Sequence, residues 1–98
     1  MHIIDEFINN LDNLGLIIES DKIFQDLHEL ISKIFDYIIH FEDINEFNKY
    51  MNELENYTIK INNITWDKLE DVSHVILITN NIKIIVNLFN IIKYEILY

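Results

Sequence analysis

Cysteine, arginine, alanine and proline are absent from this chain of 98 residues, and glycine occurs once, at Gly15. Without cysteine there is no disulfide framework and no thiolate metal site. Without proline- or glycine-rich stretches there is no readable linker, so residues 1–98 are expected to form one domain with a radius of gyration of about 13 Å. Basic residues are scarce too. Seven lysines face 17 acids, a net charge of −10. Binding to nucleic acid draws its affinity from lysine and arginine on phosphates, so direct binding is disfavoured. No basic segment precedes an apolar run at the N-terminus, which argues against a secretory signal. No stretch of 18 residues is free of charged and amide side chains, so no membrane span is read. A cytoplasmic location is the expectation.

Isoleucine and asparagine are abundant instead, with 22 and 13 copies. Residues that GC-rich codons specify are missing and those that AT-rich codons specify are in excess, as expected of a low-GC bacterium or its phages. Isoleucine is the default apolar residue here, so its β-branching says little about local structure.

Half the residues are hydrophobic, ample for a core. A chain this short buries only about 60–65% of its unfolded surface, so stability is modest unless the core is dense or shared with a second copy. Helical periodicity dominates. Ile3, Ile4, Phe7, Ile8, Leu11 and Leu14 share one side of a first helix, predicted over 3–14. Gly15 follows where a left-handed C-terminal cap favours glycine, and Leu16–Ile18 is read as a connector. Capped by Ser20 or Asp21, a second helix runs from Lys22 to Phe41 with Ile23, Leu27, Leu30, Ile31, Ile34, Phe35 and Ile38 inward. Asp43 and Glu46 have capping-box spacing ahead of a third helix over 43–56, with Phe47, Tyr50, Met51 and Leu54 in its seam. Residues 57–64 read as an extended connector or short strand. Thr65 can cap a fourth helix with Leu69, Val72, Val75 and Ile76 inward and Asp67, Glu70, Asp71 and His74 outward. The last helix, from Ile82, is apolar over most of its circumference, which predicts that protein surrounds it.

The expected fold is therefore all-α, a single small bundle of about five helices with the C-terminal helix most buried. The alternative is α+β, with His74–Thr79 and Ile82–Asn87 as a β-hairpin about Asn80-Asn81.

Catalytic chemistry finds little support. Asp36 and His40, and Glu70 and His74 with Asp71 beside them, have helical spacing, but either pair contributes only two ligands to zinc, which takes three or four. Their expected role is an ordinary surface pair, and no metal or other cofactor is expected. Ser73 and His74 point about 100° apart on a helix and form no dyad with each other. The paired carboxylates Asp5-Glu6, Glu42-Asp43 and Glu70-Asp71 sit on predicted solvated surface, with no pocket to shift their pKa. A non-enzymatic protein is the expectation.

Charge is the sharper signal. Residues 1–56 hold thirteen acids against three lysines, whereas residues 57–98 balance four against four. Such asymmetry points to an interaction surface, although solvated acidic faces also serve solubility alone. A compact acidic bundle suits a basic cleft that ordinarily holds nucleic acid. The expected partner is thus a basic protein, such as a nuclease. Phage counter-defence proteins such as anti-CRISPRs, and immunity proteins against nuclease toxins, share this short, acidic profile. The expected contacts are Asp26, Glu29, Asp36, Asp43, Glu46 and Glu53. The competing expectation is a self-associating structural or accessory bundle, such as a homodimer, since Tyr50, Tyr57, Trp66, Tyr94 and Tyr98 exceed the needs of a small monomer and aromatics favour interfaces.

Overall fold

The computed structural model describes residues 2–38 and 44–97, with the side chains of Ile96 and Leu97 left out. Helix α1 spans Ile3–Glu19, a 3₁₀ turn spans Lys22–Phe24, and α2 spans Gln25–Ile38. Helix α3 spans Ile44–Asn62 and α4 spans Leu69–Leu97. Among the described residues there is no strand. The fold is all-α as expected, with four α-helices among the described residues rather than five.

Neighbouring helices run antiparallel. Asp21 and Asn10 of the N-terminal segment meet His74 and Asn81 of α4. The start of α2 meets the end of α3 through Asp26 and Lys60, and the end of α2 meets the start of α3 through Tyr37 and Phe47. Asn62 and Asn48 of α3 meet Thr79 and Lys93 of α4. Each helix packs against two others, with α1 opposite α3 and α2 opposite α4. The molecule measures 45 × 23 × 20 Å. A helix of 29 residues is about 43 Å long, so α4 runs its full length.

All four helices meet in one aromatic layer. Phe47 of α3 stacks on Phe89 of α4 at 5.5 Å between centroids and 15° between planes. Phe7 of α1 lies 6.5 Å from each, and Tyr37 of α2 meets Phe47 edge-on at 6.1 Å. Toward the other end Trp66 packs on Phe24 at 5.5 Å. Its indole N–H donates to the Ile61 carbonyl at 2.8 Å, so this half-buried ring hides its apolar body and satisfies its polar edge.

Several boundaries differ from expectation. Gly15 does not end α1. A Cβ there would meet nothing within 4 Å, and the helix runs on so that Leu16–Ile18 is helical and Ile18 reaches the core. The second predicted helix does not begin as an α-helix at Lys22. The 3₁₀ turn shifts the phase, burying Phe24 and leaving Ile23 exposed. Its predicted end at Phe41, and the capping box at Asp43, lie outside the described residues. Residues 57–62 continue α3 rather than forming a strand, because Ile61 extends the Phe47, Met51, Leu54 seam at helical spacing.

The largest difference concerns α4. Residues 74–87 are helical throughout, so the hairpin is not formed, and Asn80-Asn81 interrupts nothing. The helix starts at Leu69 rather than at a Thr65 cap. Val75, Ile78, Ile82, Ile85, Phe89 and Ile92 are buried, in the alternating three-and-four spacing of a helix-packing seam. Val75 is buried and Asp67 and Glu70 are exposed as expected, but Asp71 is buried and His74 half-buried, whereas Leu69, Val72 and Ile76 face solvent, contrary to expectation. Helix α4 supplies more buried side chains than any other described element, but it is a corner of the bundle, not an enclosed centre.

Candidate interaction surface

The five expected contact residues within the described chain do not form one clean negative face. Glu29 and Asp36 are exposed on the outer side of α2. Glu29 has Lys33 for company at 3.8 Å. Asp26 leans toward α3, where the Tyr57 hydroxyl donates to Oδ1 at 2.9 Å and the Lys60 ammonium to Oδ2 at 3.2 Å. Partial burial alone would raise the Asp26 carboxyl, but these two donors outweigh it and hold it below the ordinary value. Burial and the Asp26 charge raise the Tyr57 hydroxyl. Asp26 therefore joins two helices as well as facing solvent. Glu46, half-buried, and Glu53, exposed, lie seven residues apart on the shoulder of α3 nearest α2, with exposed Lys49 between them. Asp43 lies outside the described residues. Across this strip, Lys33, Lys49 and Lys60 dilute five carboxylates.

The purer field is on α1. Asp5, Glu6, Asp12 and Glu19 are exposed, and no lysine precedes Lys22. Asp12 and Glu19 also line an open groove of about 420 Å³ between α1 and α2, with Leu16, His28, Ser32 and Phe35. The absence of basic residues over the first 21 positions is visible in the sequence.

A polar cluster joins the α1–α2 link to α4. Asp21 accepts from the Ile23 backbone N–H at 3.1 Å and lies 3.1 Å from His74 Nδ1. Asp71 reaches Asp21 as well, so two carboxyl groups compete for one proton. The Ile23 N–H, aided by His74, holds Asp21 below the ordinary value. Desolvation, then the hydrogen bond to Asp21 and its charge, raise Asp71. Of the two carboxyls, Asp71 is therefore the more readily protonated. A raised folded pKa means stability present below the unfolded value of 3.8 and lost as pH rises through the folded value. Asp71→Asn, which stays neutral and can still donate to Asp21, is therefore expected to raise the unfolding temperature at pH 7. The gain should vanish near pH 3, where Asp71 in both folded and unfolded states is protonated. Thermal melts at the two pH values check this, and an equal effect at both would contradict it. The expected Glu70–His74 pair is not what forms: His74 turns inward to Asp21 and Glu70 stays exposed. His40, the partner expected for Asp36, lies outside the described residues. Among the described residues no group of three His, Asp or Glu side chains is arranged to hold a metal ion.

Helix α4 carries most of the exposed large apolar side chains. Leu69, Ile76, Leu77, Ile84, Ile91 and Tyr94, all on α4, are between 45% and 81% exposed. Leu77, Ile84 and Ile91 recur every seven residues, with exposed Asn80 and Asn87 between them and exposed Tyr94 three residues beyond. At 100° per residue this stripe lies nearly opposite the buried seam. By length and composition Leu69–Glu95 meets the measure of a membrane-crossing helix, amides notwithstanding, while 39% of the window that meets it is buried in the bundle. Beside the stripe, Lys83 and Asn87 join Glu55, Thr58 and Thr79 in lining a shallow groove of about 220 Å³ between α3 and α4.

Set beside known proteins, the chain matches no protein-family model, no curated protein and no solved structure.

Proposed function

We propose that this protein acts by binding rather than by catalysis, as a small acidic inhibitor that occupies the basic, nucleic-acid-holding cleft of another protein. The observation that supports this reading is the run of exposed carboxylates on α1, undiluted by lysine, beside the outward Glu29 and Asp36 of α2. An acidic field of this kind speeds encounter with a positive cleft and disfavours other partners. Asp12 and Glu19 join Asp26, Glu29, Asp36, Asp43, Glu46 and Glu53 as proposed contacts. A phage counter-defence protein such as an anti-CRISPR, or an immunity protein against a nuclease toxin, would have this role in the cytoplasm.

The test is capture of a nuclease from the native host, followed by release. A partner held in its nucleic-acid cleft should be displaced by added polynucleotide, and by raising salt from about 50 to about 500 mM, which shortens the screening length several-fold. Retention that is indifferent to both would contradict charge mimicry. Asp12→Asn with Glu19→Gln should weaken capture without altering the helical circular-dichroism spectrum.

A further inference from the structure

We propose that the outward stripe of α4 is the interface of a parallel, in-register homodimer. The inference is independent of the acidic faces and stands whether or not they bind a partner.

The stripe has the form of a helix-pairing seam. Leu77, Ile84 and Ile91 take one core position of a heptad and Asn80, Asn87 and Tyr94 the other. A surface with this repeat fits another helix with the same repeat, and α4 of a second copy carries it. The area suffices. The six exposed apolar and aromatic side chains present on the order of 600 Å² per copy, so two facing stripes cover roughly 1,200 Å², above the ~1,000 Å² that a specific interface needs.

Charge selects the same occupant. The acidic surfaces of α1, α2 and α3 repel each other, and the molecule as a whole repels an anionic lipid surface. Over the stripe itself charge is sparse: Lys83 flanks its middle, and Glu70 and Glu95 stand near its two ends. Pairing through α4 also holds the two copies of α2, diagonal to α4 within each bundle, far apart.

The asparagines set the direction. In a parallel pair, like layers meet: Leu77 with Leu77, Asn80 with Asn80, Ile84 with Ile84, Asn87 with Asn87. Each asparagine then finds an amide to donate to and accept from. An antiparallel pair in register would set Asn80 against Ile91 and Asn87 against Ile84, leaving buried amides without partners. Asparagine at a core position is a known device for fixing register.

The full chain contains no cysteine, so single cysteines report cleanly. Sedimentation equilibrium from roughly 1 to roughly 100 µM should show a dimer. Ile84→Asp should weaken it by at least about 100-fold while keeping the helical spectrum; Ile84→Asn serves if that variant fails to fold. Under mild oxidation Leu77→Cys and Ile91→Cys should each link to a copy of itself, and a mixture of the two should give no 77–91 link. A monomer throughout the range would overturn the proposal. So would a dimer that survives Ile84→Asp and Ile84→Asn, a dominant 77–91 link, or a wild-type monomer that floats with phosphatidylcholine–phosphatidylglycerol vesicles, which would give the stripe to lipid.

Discussion

Phe47→Ala is expected to lower the stability of the bundle by about 3–5 kcal/mol, the largest loss at any single ring. Phe47 is fully buried, stacks on Phe89, and touches Phe7 and Tyr37. Removing it empties the one place where all four helices share a layer. The cavity borders rigid rings, which cannot collapse as aliphatic chains do. A domain of this size has a total stability of about 5–15 kcal/mol, and each kcal/mol shifts the midpoint by about 4–8 °C. The melting temperature should therefore fall by roughly 15–30 °C, if the variant folds at all. Truncating an exposed ring such as Tyr94 should not move the monomer's midpoint by a comparable amount. Equal losses at Phe47 and Tyr94 in calorimetry would remove the aromatic layer from its central place.

Ile78→Asp and Leu77→Asp, adjacent in sequence, are expected to differ as sharply as two substitutions can. Ile78 is fully buried and Leu77 is half exposed. An aspartate at 78 loses the burial of a large side chain and places a carboxylate among Ile82, Val75 and their neighbours without a partner. Either effect alone costs several kcal/mol, so the helical far-ultraviolet signal should be lost at 25 °C. An aspartate at 77 meets solvent in a single copy and should leave the helical signal intact, while weakening self-association. The opposite ranking would mean that the helix is rotated by about 100° from the orientation described.

That rotation is where the sequence is least legible. A helix is oriented by contrast between its faces, and from Val75 to Ile92 apolar side chains lie on every side. Ile76, Leu77 and Ile78 are chemically equivalent to a periodicity count. What distinguishes Ile78 is its place in the buried three-and-four series, together with Asp71 and His74, which are held inward by Asp21 at the far end of α1. That contact spans fifty residues and leaves no local trace. Gly15 misleads for a related reason. Glycine ends a helix when the backbone needs a left-handed turn, and here Ile18, one turn beyond Leu14, gives the helix reason to continue. Elsewhere contrast was ample. Phe7, Leu11 and Leu14 of α1, Leu27, Ile31 and Ile34 of α2, and Phe47, Met51 and Leu54 of α3 all lie inward as their spacing requires, because asparagine and acids fill the opposite sides.

The charged surface was legible in amount and only partly in place. The excess of acids before residue 57 is plain from the sequence. Lys33 and Lys49 stand beside their carboxylates in the sequence, but Lys60 is 34 positions from Asp26, and only folding brings that pair together. The apolar stripe on α4 was legible as composition but was assigned to the core, since nothing in the sequence says how many neighbours a helix has.

The two opposed faces of α4 exist only if it is one uninterrupted helix through Asn80-Asn81. Backbone carbon chemical shifts over residues 74–87 test this most directly. Helical shifts at every position, with amide contacts between residues three apart across Asn80 and Asn81, are the predicted result. Extended-chain shifts on either side of a turn at 80–81, with cross-strand contacts between 74–79 and 82–87, would contradict it.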